Sequence, residues 1–260
     1  MAAFTAEKRV VVRDDPDAVA DAVASRLLSR ITKRTTAGKL AHISLTGGSR
    51  GARVLAAAAA HPRLREVDWS LVHFWWSDER FVPRGDPDRN DLPAYAALFD
   101  VAGVPAANIH TMPASDDGLE LDEAAAAYAA ELATFADDAV GAWPSFDVCF
   151  LGVGPDAHIA SLFPDRPEIQ VTDQSTLPVR DSPKPPPERI TMTRPVINSS
   201  KRVWLVLVGD DKASALGLAL AGASYQSVPA AGAKGRKRTV FFVDRAAAAK
   251  VPPELIDAEY

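Results

Sequence analysis

One histidine of this sequence stands where it could act as a general base. His158 follows Asp156 by two residues in LGVGPDAHIASLFPD, residues 151–165, which starts as an apolar run and bends at two glycines. Imidazole titrates near neutral pH, so a histidine projected over a sheet edge can take a proton from water. The alternative is a structural histidine that caps a turn. The other four lack such surroundings and are expected to be structural: His42, His61, His73 and His110.

The same stretch also fits a dinucleotide fingerprint, G-x-G-x-x-A, through Gly152, Gly154 and Ala157. Two features exclude that interpretation. Asp156 would put a carboxylate where a pyrophosphate must lie, and the short helical turn HIASLF stops at Pro164. A nucleotide-binding crossover needs a helix of about a dozen residues. We therefore expect a glycine-rich bend that carries the aspartate and the histidine.

A second stretch, LTGGSRG at residues 45–51, has the residue types that bind phosphate. Gly47 and Gly48 allow the backbone to approach a ligand, Ser49 offers a hydroxyl and Arg50 a charge. The predicted helix that follows adds free N–H groups and the positive end of its dipole. The G-K-[ST] ending of a Walker loop is absent. The alternative is a plain tight turn between strand and helix.

A third stretch, WWSDERFVPRGDPDRND at residues 75–91, places charges at the end of an apolar strand. Arg80 can hold an anionic substrate while Asp78 orients its guanidinium, and Asn90 is expected to cap a helix. The alternative is a solvated turn.

Two further cations follow strands or loops. Lys212 lies in the first turn of a predicted helix, where a positive charge opposes the helix dipole, so a ligand would explain it better than stability does. Arg189 leaves the proline-rich loop RDSPKPPPER, and a phosphate contact or a plain surface role are both open for it.

Composition excludes several classes of protein. No pair of histidines or cysteines has metal-ligand spacing, no G-x-S-x-G elbow is present, and the single cysteine, Cys149, is expected to be a buried, inert thiol. The net charge of −5 argues against nucleic-acid binding, and no apolar run is long enough to span a membrane. The first residues show no signal-peptide pattern. We expect a cytoplasmic protein.

Strand-like and helix-like segments alternate along the chain. This alternation, with nearly continuous apolar strands, predicts an α/β fold with a largely parallel sheet covered on both faces, in a single domain over residues 1–260. The predicted strands are 8–13, 40–46, 69–76, 146–153, 189–193, 202–209 and 238–244. The predicted helices are 15–34, 49–61, 91–100, 121–141, 211–222 and 245–251.

These motifs, in this order, resemble the 6-phosphogluconolactonase family over nearly the whole chain. The specific part is G-x-G-x-D-x-H-x-A-S-L-F-P, supported by W-x-D-E-R-x-V-P. The resemblance implies a three-layer Rossmann-like fold, shared with glucosamine-6-phosphate deaminases and ribose-5-phosphate isomerases. It also implies hydrolysis of 6-phosphoglucono-δ-lactone to 6-phosphogluconate in the pentose phosphate pathway, without a cofactor.

Carried over by position, the resemblance makes His158 the catalytic histidine and Arg80, held by Asp78, the active-site arginine. It places Lys212 near the substrate and makes residues 47–50 the phosphate-binding turn. Three positions depart from the family pattern. Gly51 and Arg89 stand where the family commonly has proline and serine, and Ala157 stands where it commonly has glycine. Alanine fits there only with a negative φ or with some strain.

The expected mechanism is attack on the lactone by a water that His158 deprotonates, with no covalent nucleophile and a monomeric enzyme. Two alternatives remain. A glucosamine-6-phosphate deaminase would need an extra acid–base carboxylate, and the stretch Ser161–Pro164 has no glutamate. A non-catalytic sugar-phosphate sensor would bind 6-phosphogluconate without turnover.

Overall fold

The computed structural model describes residues 8–257 and contains two β-sheets. The strands are β1 (Lys8–Arg13), β2 (Ala41–Leu45), β3 (Val72–Trp76), β4 (Asp78–Arg80), β5 (Val148–Gly152), β6 (Thr176–Val179), β7 (Arg189–Met192), β8 (Arg202–Leu207) and β9 (Arg238–Asp244).

The α-helices alternate with these strands. They are α1 (Pro16–Thr35), α2 (Gly48–Ala60), α3 (Leu92–Ala94), α4 (Asp100–Ala102), α5 (Leu121–Ala133), α6 (Arg194–Asn198) and α7 (Ala213–Leu220), with a π-helical turn, Tyr95–Phe99, joining α3 to α4. Short 3₁₀ turns occupy Pro62–Glu66, Trp69–Leu71, Ala106–Asn108, Pro167–Gln170, Asp210–Lys212, Pro229–Gly232 and Pro253–Leu255. Helix α1 begins as its sequence predicts, because the Asp15 carboxylate accepts a hydrogen bond from Ala18 N at 2.9 Å and Pro16 follows the cap.

The larger sheet has six strands in the order β1-β9-β8-β5-β2-β3, all paired in parallel. The chain runs onward from β2 to its neighbour β3 on one side and from β5 to its neighbour β8 on the other. The direction of winding therefore reverses between β2 and β5. Ligands of open α/β sheets bind at such a reversal, beyond the carboxyl ends of the strands.

Both faces of this sheet are covered, as the apolar strands predict. Along β5, Val148 and Phe150 pack on the face with α1 and α2, whereas Cys149 and Leu151 pack on the opposite face with α5 and α7. Side chains of a strand alternate between faces, so a strand buried on both sides must be apolar at every position. The predicted α/β class with a largely parallel sheet is confirmed.

The second sheet was not predicted. Strands β4, β7 and β6 pair in antiparallel fashion, with Asp78 opposite Thr191 and Arg80 opposite Arg189. The predicted strand at 189–193 exists, but it belongs to this small sheet. Residues 78–80, expected as a loop beyond β3, form its edge strand. A three-residue charged strand leaves no periodicity for a sequence pattern to detect.

Two predicted helices are wrong in part or whole. Helix α5 ends at Ala133, well before residue 141, because the Asp137 carboxylate instead accepts a hydrogen bond from Ala139 N at 3.0 Å in a local turn. Residues 245–250 form turns instead of the predicted final helix. The alanine-rich segment there lies between Asp244 and Pro252, and so short a segment gains little from helix propagation.

The short helical turn expected after His158 is also wrong. Residues 158–163 fold back on themselves through single bridges between Val153 and Ile159 and between Ile159 and Leu162. Ala160 has a φ of +48°, which a right-handed helix does not allow.

Candidate active site

A cavity of about 320 Å³ lies at the carboxyl ends of β2, β3, β5 and β8. This is the edge at which the sheet order reverses, so the site occupies the place expected for this class of fold. The cavity is lined by Thr46, Gly47, Gly48, Arg50, Asp78, Arg80, Asn90, Gly152, Val153, Gly154, Pro155, His158, Ala160, Lys184, Pro185, Arg189 and Lys212. Five of these side chains are cationic, which suits an anionic ligand.

The predicted aspartate and histidine are paired in the structure. Asp156 Oδ1 lies 2.6 Å from His158 Nδ1, and His158 lines the cavity whereas Asp156 does not. Burial alone would raise the pKa of Asp156, but the hydrogen bond to His158 and the nearby Lys184 hold this pKa well below its usual range. An ionised carboxylate accepts a hydrogen bond from Nδ1–H, which leaves Nε2 as the ring nitrogen with a free lone pair.

Gly154 makes room for this pair. A Cβ atom at residue 154 would stand 2.1 Å from His158 Nδ1 and 2.3 Å from Asp156 Oδ1. The second glycine of the apparent dinucleotide fingerprint thus admits the histidine and its carboxylate, and the histidine carbonyl accepts a hydrogen bond from Gly154 N at 3.0 Å.

The bend that carries His158 is strained. Ala157 has a φ of +66°, in the left-handed region that favours glycine, and such a residue costs about 1–2 kcal/mol. The buried backbone of Ala157 is held in place, because its N–H donates to Gly154 O at 2.9 Å and its carbonyl accepts from Ala230 N at 3.0 Å. The departure from glycine is therefore accommodated with strain and not by a negative φ.

The predicted phosphate turn lies at the start of α2. Gly47 is the N-cap of this helix and Gly48, with a φ of +75°, is its first residue, and both line the cavity with Arg50. A glycine cap has no side chain, so the first N–H groups of α2 are left for a ligand. Ser49 is exposed and lines a neighbouring groove beside α1, outside the cavity.

Asp78 and Arg80 both line the cavity, but they do not hold each other as expected. Asp78 Oδ2 accepts a hydrogen bond from Ser161 Oγ at 2.7 Å, and Arg80 Nη1 donates to the carbonyl of Asp88. Residues 78 and 80 are strand positions, and their pairing with β7 fixes the backbone instead. Among the described residues, the buried Nε of Arg80 has no hydrogen-bond partner, so it is a donor left for a ligand.

Asn90 is not the helix cap that the sequence predicts, because Asp91 occupies that position. The Asn90 side chain instead donates to Asp78 O at 2.9 Å and lies against Gly47. Its backbone N–H donates at 2.6 Å to Glu79, a buried carboxylate that also accepts from Arg80 N at 2.8 Å. Burial raises the pKa of Glu79 to about 7, against the opposing charge of Arg89. Glu79 therefore ties the arginine and the asparagine of the cavity together.

The two remaining predicted cations differ in their availability. Lys212 lines the cavity from the 3₁₀ turn before α7, and its ammonium lies 2.9 Å from the Asp211 carboxylate. Burial lowers the pKa of Lys212, which Asp211 partly offsets. Arg189 also borders the cavity, but its guanidinium donates to three backbone carbonyls of the proline-rich loop.

Sequence reasoning missed Lys184. It lies in the proline-rich loop between β6 and β7, and its ammonium is 3.1 Å from both Asp156 Oδ1 and His158 Nδ1. Lys184 and His158 are 26 residues apart in the sequence, and no local pattern connects them. The one available signal was a lone lysine within a run of prolines, which fix the backbone around it.

Other features of the described residues bear on alternative functions. Cys149 is fully buried, and burial raises the pKa of its thiol to about 12, so the predicted inert thiol is confirmed. Across residues 8–257, no three His, Cys, Asp or Glu side chains are grouped to hold a metal ion, and no helix is both long and apolar enough to cross a membrane.

Comparisons with known proteins agree with this architecture. The family described as "Glucosamine-6-phosphate isomerases/6-phosphogluconolactonase" matches residues 14–242. A 6-phosphogluconolactonase of Streptomyces coelicolor is 46% identical over 250 residues, which are 95% of this chain and 96% of that protein.

Two solved structures share the fold. A 6-phosphogluconolactonase from Thermotoga maritima superposes with a TM-score of 0.78 at 26% identity, over 92% of this chain and all of that one. A monomeric glucosamine-6-phosphate deaminase superposes with a TM-score of 0.74 at 18% identity, over 93% and 99% of the two chains. At the lower identity the likeness shows the fold alone. Together with the matched family and the bacterial relative, these findings show that the chain belongs to the 6-phosphogluconolactonase family.

Proposed function

We propose that the cavity hydrolyses 6-phosphoglucono-δ-lactone to 6-phosphogluconate. The observation that carries this proposal is the Asp156–His158 pair, which leaves a basic imidazole nitrogen at the edge of a cavity rich in cations. The 46% identity to a protein named 6-phosphogluconolactonase supports the same reaction.

His158 removes a proton from a water molecule as that water attacks the lactone carbonyl carbon. The carbonyl oxygen becomes the oxyanion of a tetrahedral intermediate, which cationic side chains of the cavity stabilise. The intermediate collapses with cleavage of the bond to the ring oxygen, and the imidazolium returns its proton to that oxygen. A lactone is already an activated ester, so this sequence needs neither a covalent nucleophile nor a cofactor. General acid–base catalysis of this kind contributes about 10²–10⁴-fold in rate.

The phosphate group binds to other donors of the same cavity in this proposal. The free N–H groups at the start of α2, the unpaired Nε of Arg80 and the ammonium of Lys212 are the available donors there. Arg50 adds a charge, although its Nη2 also donates to Val208 O at 3.3 Å. Fixing the phosphate orients the lactone carbonyl toward His158.

The proposal extends to the setting of the enzyme. We further propose that the enzyme acts as a monomer and requires no partner or nucleic acid. A single buried cysteine agrees with a reducing compartment such as the cytoplasm.

The deaminase alternative is not favoured by the site. Asp78 lies in the cavity and accepts a hydrogen bond from Ser161, but the stretch Ser161–Pro164 supplies no further acid–base carboxylate for ring opening. The sensor alternative does not explain why a carboxylate holds His158 in the form that a base requires.

The test is hydrolysis of fresh 6-phosphoglucono-δ-lactone, coupled to NADP reduction by 6-phosphogluconate dehydrogenase, with spontaneous ring opening subtracted. Unphosphorylated glucono-δ-lactone and glucosamine 6-phosphate are assayed in parallel. We expect turnover of the phosphorylated lactone, with a KM that rises at least tenfold in Lys212→Met while kcat changes less. Turnover of glucosamine 6-phosphate, or binding of 6-phosphogluconate without any turnover, would contradict the proposal.

A further inference from the structure

A buried arginine at the end of the proline-rich loop fixes the backbone of that loop. Arg189, at the start of β7, is 4% exposed, and its Nε donates to Pro186 O at 3.2 Å. Its Nη2 donates to Lys184 O at 2.9 Å and to Pro185 O at 3.0 Å. A planar guanidinium that serves three successive carbonyls fixes the path of the backbone. Lys184 therefore extends from a rigid support.

The ammonium of Lys184 shares one carboxylate oxygen with the imidazole of His158. Asp156 Oδ1 lies 2.6 Å from His158 Nδ1 and 3.1 Å from Lys184 Nζ, and the two nitrogens are 3.1 Å apart. At 2.6 Å, two acceptors would repel each other, so the proton of the neutral ring resides on Nδ1. Lysine has no acceptor, so it does not bond to that N–H and instead donates to the carboxylate.

This arrangement separates two effects of Asp156. A carboxylate at hydrogen-bond distance orients an imidazole, but its negative charge also stabilises the imidazolium, which has no lone pair with which to accept a proton. A second cation on the same oxygen cancels that charge and leaves the hydrogen bond intact. Lys184 thus opposes protonation of His158 without disturbing its orientation.

We propose that Lys184 is a positioning residue of the lactonase reaction: its ammonium neutralises Asp156, so that the carboxylate orients His158 while the ring stays unprotonated and able to accept a proton from water. This inference rests on the function proposed above. Arg189, in turn, sets the position of Lys184 through its bonds to the loop carbonyls.

Phe163 and the other charged residues of the cavity complete the surroundings of His158. On the Phe163 side, the ring centroid of Phe163 is 4.7 Å from that of His158 and 5.7 Å from the guanidinium carbon of Arg189. Phe163 thus also contacts the arginine that fixes the loop. Asp78, Arg80, Arg50 and Lys212 complete the charged groups of the shared cavity.

The test compares the pH dependence of kcat/KM in Lys184→Met, Lys184→Arg and the wild type. Removing a unit charge 3.1 Å from the imidazole moves the acid limb of the profile to higher pH, by about one unit at a water-like dielectric constant. Lys184→Arg keeps the charge and keeps the limb in place. Lys39→Met, at an exposed lysine after α1, is the matched control and leaves the profile unchanged.

A lysine with a merely structural role would lower the plateau of kcat/KM without moving the limb, and that result would overturn the proposal. So would an equal displacement in Lys184→Arg. The same titration followed by imidazole ¹⁵N NMR, without substrate and with His158→Gln to assign the resonance, gives a readout independent of turnover. If the protein hydrolyses no lactone, the proposed function fails, yet the displaced titration in Lys184→Met still tests the electrostatic role.

Discussion

Arg89 is the fully buried centre of an ion network behind the cavity, and its replacement by methionine tests how the site is held. Its Nε and Nη2 lie 3.0 and 2.8 Å from the two oxygens of Asp91, and Nη2 also donates to Met112 O at 2.8 Å. Glu79 stands 3.7 Å from the same nitrogen. Neither Arg89 nor its two acidic partners exposes more than 3% of its side chain.

The magnitude follows from what the substitution leaves behind. In Arg89→Met, Asp91 loses both of its guanidinium hydrogen bonds and stays buried as an uncompensated charge, whereas Glu79 keeps its three backbone N–H donors. Breaking a buried pair by removing one partner costs about 3–5 kcal/mol in the free energy of unfolding. For a protein of this size, that loss lowers the urea midpoint by about 1–2 M.

The assay is urea unfolding followed by far-UV circular dichroism. Arg53→Met is the matched control, since the exposed Arg53–Asp17 pair contributes about 0–1 kcal/mol. The double variant Arg89→Met/Asp91→Leu removes the stranded charge and should recover part of the loss. If the single variant is within about 1 kcal/mol of the wild type, or if the double variant simply sums two losses, Arg89 does not stabilise the fold by compensating the charge of Asp91.

Two further predictions concern a glycine and the buried histidines. Gly47→Ala would put a Cβ atom 1.7 Å from Asn90 Oδ1, so we expect at least a tenfold loss of kcat/KM in the coupled assay. In the control Gly85→Ala the new Cβ atom meets nothing within 4 Å, so its kcat/KM stays near that of the wild type. Equal activities of the two variants would contradict this prediction. Burial lowers the pKa of His73 to about 4 and that of His42 to about 3, from 6.5. The unfolded chain therefore binds more protons below pH 6.5, and stability falls as the pH drops from 6.5 toward 4, by up to about 3 kcal/mol from His73 alone. A urea midpoint equal at pH 7.5 and pH 5 would count against it.

The parallel sheet and the position of the site were predictable because both leave local signals. Apolar strands such as 202–209 alternate with helices, and glycines, charges and a histidine follow the strand ends. Parallel strands bring such ends to one edge, so residues far apart in the chain, such as Gly47, His158 and Lys212, converge on one cavity.

The contacts within the site were not predictable, because each depends on a tertiary choice of partner. The sequence neighbours Asp78 and Arg80 were expected to pair, but Ser161 donates a hydrogen bond to the aspartate and the arginine donates to the carbonyl of Asp88. The role of Arg189 was left open between a phosphate contact and a surface residue. In the structure its guanidinium donates hydrogen bonds to carbonyls of the proline-rich loop. Lys184 contacts His158 from the loop between β6 and β7 of the small antiparallel sheet, which the sequence did not predict.

The contacts of Arg89 were likewise not predictable from the sequence. From the sequence, Arg89 was identified only as a departure from the serine that the family commonly has. The structure turns Arg89 inward, where Asp91 binds it, so that the residue stabilises the loop.

The role of His158 is tested most directly by hydrolysis of 6-phosphoglucono-δ-lactone by His158→Ala, compared with the wild type and paired with calorimetric binding of 6-phosphogluconate. We expect a kcat lower by about 10²–10⁴-fold, with binding of 6-phosphogluconate changed little, because the base is lost and the phosphate donors remain. Lactone hydrolysis at the wild-type rate in the variant would contradict the role assigned to His158.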